Sequence, residues 1–244
     1  MLHILLIGAA FGHKPSFGGD YVSEDSAFEI VDPNISIVVY QELTCELPEL
    51  WLEFEADADF ELYVQLGVPV TDWLEDYAPT VAVVAHGLPL DAEVPFDLPT
   101  GMGAMVYEAR SDADTFYEPF TQTSSWVWVE ERLSLPESGK GYVVGWHPEM
   151  LSGKIWIATG EVEDFSDVSP LDFVFWDEQV NNFHETGEYE TPADLEVFDC
   201  EALLAPQEEV AAGCATMKTK PAIVLIFLSV WGVLFRRREN PLFG

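Results

Sequence analysis

FELYVQL, residues 60–66, alternates Phe60, Leu62, Val64 and Leu66 with Glu61, Tyr63 and Gln65. This two-residue period is that of a half-buried β-strand. The runs ISIVVYQEL, WLEF, TVAVVAH, GAMVYEA, SWVWVEERL, GYVVGWH and GKIWIAT are equally rich in β-branched and aromatic residues, and each is bounded by Pro, Gly, Asp or Ser. Eight such stretches, with no long helical pattern between them, predict a mainly β fold, an antiparallel β-sandwich, rather than a parallel α/β sheet. Two helices are expected after the strands. One starts at Ser169 with Pro170 and Asp172 in its first turn and stops at Gly187; the other starts at Thr191 with Pro192 and Asp194 and ends at Pro206.

Hydrophobic residues make up 48% of the 244-residue chain and aromatics 13%, which excludes a disordered acidic tail. The formal charge is −34, from 10 basic and 44 acidic residues. Five of the ten bases lie at or beyond Lys218, so the preceding part is still more acidic. Such a polyanion excludes nucleic-acid backbone as a partner, because that affinity comes from Lys and Arg neutralising phosphates. It favours a cationic partner, a divalent ion or a salty exterior.

The two ends of the chain predict location. Pro221 to Phe235 is uncharged and apolar, flanked by Lys218 and Lys220 on one side and Arg236, Arg237 and Arg238 on the other. With the lysines snorkelling, this reads as a single transmembrane helix, and the arginines place it with its C-terminus cytoplasmic and everything before Lys218 outside. MLHILLIGAAFG at the start reads as a signal peptide or a first apolar strand. The expected organisation is an N-terminal apolar segment at 1–12, an acidic extracytoplasmic domain with a helical extension at 13–205, a stalk at 206–217, an anchor at 218–238 and a tail at 239–244. The membrane is thus an expected partner. Ser229 and Gly232 would allow the helix to pack closely in a membrane complex, with this chain as an accessory subunit.

Gly213 and Cys214 precede a short spacer, the apolar helix and the arginine cluster. That arrangement resembles the C-terminal sorting signals of the MYXO-CTERM type. The resemblance covers about 25 residues and implies processing near Gly213 and Cys214 by an intramembrane protease. Two lysines interrupt the spacer and ENPLFG follows the arginines, both departures from the family pattern. A cysteine beside the membrane also suits palmitoylation. Cys45 and Cys200 can form a disulfide tying the sheet to the second helix, or remain a pair of thiols. Asn34 to Ser36 matches a glycosylation sequon.

No G-x-S-x-G, H-E-x-x-H, phosphate-binding Gly loop or C-x-x-C occurs. Glu130 and Glu131 are the kind of carboxylate pair a glycosidase uses, but acids abound here. For calcium, the hard-oxygen candidates are Asp57 and Asp59 in EADADFE and Asp112 and Asp114 in SDADTF. His13 would become the N-terminal residue after cleavage at Gly12, and its amine and imidazole would suit copper, in resemblance to periplasmic copper proteins that begin with histidine. His86 and His147 read as strand-end residues satisfied locally. Trp126 and Trp128 share a face of SWVWVEE and form either a sugar- or protein-binding platform or part of the core. The reading preferred from sequence is a membrane-anchored, extracytoplasmic, non-catalytic binding protein. The alternative is a metal-dependent (copper or calcium) or hydrolytic ectoenzyme.

Overall fold

The computed structural model describes residues 12–17, 19–186 and 197–200. The chain divides into Met1–Ala205 and Pro206–Gly244, and every described residue belongs to the first unit. The signal peptide at 1–12 except Gly12, the stalk, the anchor at 218–238, the tail, Gly213 and Cys214 all lie outside the described residues, as does most of the second expected helix.

Eleven strands form two sheets: β1 (Lys14–Phe17), β2 (Phe28–Ile30), β3 (Ile37–Leu43), β4 (Glu49–Ala56), β5 (Glu61–Pro69), β6 (Thr80–His86), β7 (Met102–Tyr107), β8 (Asp114–Glu118), β9 (Thr123–Ser134), β10 (Gly139–Trp146) and β11 (Gly153–Thr159). The six-stranded sheet has the order β1-β3-β11-β5-β9-β8 and the five-stranded sheet β2-β4-β10-β6-β7. One helix follows, α1 (Pro170–Phe183), and a short 3-10 turn spans Asp72–Leu74.

Each of the eight patterned stretches contains a strand, but the expected fold needs three corrections. First, the sheets are mixed, since β1 pairs parallel with β3 and β2 parallel with β4. The chain alternates between sheets over β1 to β4, so each parallel pair is joined through a strand of the opposite sheet, the kind of crossover that parallel neighbours require. Second, residues 197–199, expected to be helical, are not: Leu151 bridges Asp199 antiparallel, Ser152 N donates to Phe198 O and Cys200 N to Met150 O. Backbone pairing and the Cys45–Cys200 disulfide hold this segment along the 150–152 loop, and α1 is the one α-helix element among the described residues. Third, no helix among the described residues is long and apolar enough to cross a membrane.

The main core lies between the sheets, where Leu43, Leu62, Val64, Leu66, Ile155 and Ile157 of one meet Leu50, Leu52, Phe54, Val81, Val83 and Val143 of the other. A β-bulge changes one face of β9. Leu66 pairs with Val129, but the next residue, Gly67, pairs with Val127, so Trp128 is the extra residue. Val129 therefore joins the main core, whereas Val127 joins a second cluster on the outer face with Val38, Trp156 and Ala158. β11 is buried along its whole length, because one face meets the other sheet and the outer face is covered too.

α1 forms that outer cover. Ser169 precedes it in extended conformation, and the Asp172 carboxylate accepts the Ser169 N–H at 2.7 Å, as the sequence pattern anticipates. Phe173, Trp176, Val180 and Phe183 recur on the face turned toward the sheet, while Leu171, Val174 and Phe175 remain exposed. The helix end is fastened by Lys154 of β11, whose ammonium contacts Glu185 Oε1 at 2.6 Å and Phe183 O at 3.0 Å. Glu185 has φ 58°, in the left-handed region just past the helix. Its carboxylate also accepts the Trp73 indole N–H at 3.2 Å, which helps to hold that conformation.

Candidate ligand-binding cavity

Between the outer face of the six-stranded sheet, α1 and the β8–β9 connection lies a cavity of about 210 Å³. That is room for a ligand of roughly a dozen water-sized groups or more. Its floor is Val38 and Tyr40 of β3, Trp156 of β11, Gln65 of β5 and Ser125 of β9. Phe165, Phe173, Trp176 and Phe120 form a roof, with ring centroids 5.4 Å apart for Phe173 and Trp176 and 5.7 Å for Phe120 and Phe173. The Tyr40 ring stacks on Phe17 at 4.7 Å and meets Phe183 edge-on at 5.0 Å.

Trp156 lies flat because β5 offers Gly67 opposite it. A Cβ at Gly67 would collide with the indole, so this glycine fixes the floor.

A hydrogen-bonded chain crosses the floor. Trp156 Nε1 donates to Ser125 Oγ at 3.0 Å, and Ser125 Oγ lies 3.0 Å from His184 Nε2. His184 Nδ1 is 2.9 Å from Val180 O, which can only accept, so Nδ1 carries the proton. Burial lowers the His184 pKa to about 4, helped by the nearby Lys154 charge and opposed by the Val180 bond. The ring is neutral at pH 7, its Nε2 accepts, and the Ser125 hydroxyl donates to it. Thr121 and Thr123 bond to each other at 2.9 Å beside this chain, and Asn181 of α1 reaches Thr121 O at 3.2 Å.

His13, Glu118 and Tyr40 add further polar groups to the lining. His13 Nδ1 is 2.5 Å from Ser36 Oγ, and burial lowers its pKa to about 4. Glu118 Oε1 accepts the Phe120 N–H at 3.0 Å, while burial and, secondarily, Glu163 push the Glu118 carboxyl up against that bond. Burial and the adjacent Glu118 charge push Tyr40 well above the usual phenol range.

Ser125 and His184 have the contact of a nucleophile and its base. Three features weaken that reading. A carbonyl rather than a carboxylate holds His184 Nδ1, the Ser125 oxygen already accepts the Trp156 N–H, and a ring that protonates near pH 4 is a weak base at neutral pH. The chain is better suited to satisfying buried polar groups under an apolar pocket.

Of the candidate metal, binding, disulfide and processing residues named from the sequence that fall among the described residues, only His13 lines the cavity. Asp57 and Asp59 sit in the β4–β5 turn, Asp59 with φ 64°, while Asp112 lies in the β7–β8 connection and Asp114 opens β8, where it pairs with Arg110 at 2.9 Å. The two aspartate pairs occupy different connections. No group of three or more His, Cys, Asp or Glu that could hold a metal ion occurs among the described residues. Trp126 and Trp128 pack half-buried against the main core. His86 Nδ1 lies 3.0 Å from Gly101 O, and His147 Nδ1 accepts the Glu149 N–H at 3.2 Å. Glu130 and Glu131 stand at adjacent exposed positions of β9. Cys45 and Cys200 are joined by a disulfide spanning 155 residues of sequence. Sequence reasoning passed over Ser125, His184, Glu118 and the aromatic roof, which come from separate elements with no shared motif.

No protein-family model and no curated protein matches the sequence. Among solved structures, the chain is similar to the pre-peptidase C-terminal domain of a collagenase from Bacillus anthracis, at 8% identity over 54% of this chain and 92% of that one, with a TM-score of 0.30. It is also similar to PliG of Aeromonas hydrophila, a periplasmic inhibitor of g-type lysozyme, at 10% identity over 61% of this chain and 98% of that one, with a TM-score of 0.31.

Proposed function

We propose that this β-domain is an extracytoplasmic, non-catalytic binding module that takes a small ligand with an apolar body into the cavity beneath α1. The cavity itself carries the proposal: it is roofed and floored by aromatic rings, with a few polar groups converging on one apolar space, the usual composition of a small-molecule site. The Cys45–Cys200 disulfide supports placement in an oxidising compartment, where such bonds persist. The acidity of the chain, −34 overall, suits a salty exterior.

The test is titration of the full chain with N-phenyl-1-naphthylamine, a neutral apolar probe that brightens on leaving water. Saturable enhancement that is lost in Trp176→Ala, with the circular dichroism of the fold retained, is the expected result. A linear, unsaturable signal that is identical in the variant would sink the proposal.

A further inference from the structure

The cavity's electrostatics are one-sided. Among the described residues no Lys or Arg lines it, and the only acid that does is Glu118. Both lining histidines are neutral at pH 7, since burial holds each near 4. A carboxylate facing apolar space without a compensating cation is costly, and a ligand bringing the opposite charge removes that cost. Of the Glu118 oxygens, Oε1 accepts the Phe120 N–H, while Oε2 has no hydrogen-bond partner among the described residues. The Tyr40 hydroxyl and the Gln65 amide, both lining the same space, likewise have none.

From this arrangement we infer that the ligand is an organic monocation, an ammonium group on an aromatic or branched apolar body, with its charge between Glu118 and the aromatic faces of the cavity. The inference rests on the cavity being a ligand site at all. Tyr40, Phe116, Trp156 and Trp176 line the cavity, and electron-rich rings of this kind attract an ammonium, most strongly where water is excluded. An anionic ligand would face Glu118 with no cation to offset it. A divalent metal would require several oxygen ligands where one carboxylate is present. Glu163, which accepts the Gly12 N–H at 2.8 Å, adds negative potential at Glu118, and the −34 charge of the chain draws cations toward it.

Calorimetric titration of the full chain with benzyltrimethylammonium, benzyl alcohol and phenylacetate compares cation, neutral and anion on one aromatic body. The cation should bind about tenfold or more tighter than the alcohol, and phenylacetate should be the weakest of the three. Glu118→Gln should bring cation and alcohol to similar affinity while N-phenyl-1-naphthylamine still binds, showing that the cavity persists. Should that variant not fold, Glu118→Asn takes its place, with the same convergence of cation and alcohol affinities expected.

Equal binding of cation and alcohol to the wild type, or a cation preference unchanged in Glu118→Gln, would overturn the charge inference and leave the apolar site standing. Failure of the naphthylamine and all three small probes to bind would overturn both.

Discussion

Ser125 Oγ and His184 Nε2 lie 3.0 Å apart although 59 residues separate them, and this contact joins β9 to the end of α1 under the cavity. The hydroxyl donates to the ring and receives the Trp156 N–H, so one small side chain satisfies two larger ones. Ser125→Ala leaves an indole donor and an imidazole acceptor buried without partners. Stability should fall by about 1–3 kcal/mol, read from urea denaturation midpoints. Covalent labelling of Ser125 by a fluorophosphonate would contradict the structural role assigned to it here.

Acid should destabilise the fold through its buried histidines. The folded-state pKa of His184, and that of His147, is lowered from 6.5 to about 4 by burial. As pH falls through 6.5 the unfolded chain takes up protons that the native rings refuse, so the stability these histidines confer is lost between 6.5 and about 4. One fully buried ring accounts for about 3 kcal/mol across that window. Denaturant unfolding across this pH range tests the slope, and His147→Gln, which keeps an acceptor for the Glu149 N–H, should flatten part of it.

Lys154 and Glu185 form a largely shielded ion pair that fixes where α1 ends, with side-chain exposures of 11% and 12%. Lys154→Met removes one partner and leaves the Glu185 carboxylate without its counter-charge. The expected loss is about 3–5 kcal/mol. A thermal melt unchanged by the substitution would show that the pair is not needed to hold α1.

Gly67→Ala should damage the floor selectively. The added Cβ collides with the Trp156 indole, which must move toward the cavity, at a cost of about 1–3 kcal/mol. Binding of N-phenyl-1-naphthylamine should weaken together with the change in stability. Full binding in this variant would mean that the position of Trp156 does not shape the site.

The strands with long alternating or continuously apolar patterns were legible, because a core on one face or both imposes that pattern. The short strands β1, β2 and β8 were not, since KPSF, FEI and DTFYE lie at sheet edges and bury too little to be patterned. Parallel pairing of β1 and β2 depends on the path of the chain between sheets, which local periodicity does not encode. The α1 start was readable from Ser169 and Asp172 because capping is local. Residues 197–199 were misread because pairing with the 150–152 loop and the disulfide at Cys200 override local helical signals. One clue to the cavity did lie in the sequence: GKIWIAT is apolar on both faces, which implies a second layer over the sheet. Its polar groups gave no such clue, because Glu118, Ser125 and His184 meet only in three dimensions.

The most direct measurement is a chemical-shift titration of the full chain, labelled at methyl and aromatic positions, with benzyltrimethylammonium. The account predicts saturable shifts confined to Val38, Tyr40, Thr123, Trp156, Trp176 and Val180, with Val83 and Val143 of the inter-sheet core unmoved. Shifts centred on the Asp57 or Asp112 turns, or none at saturating probe, would contradict a ligand site beneath α1.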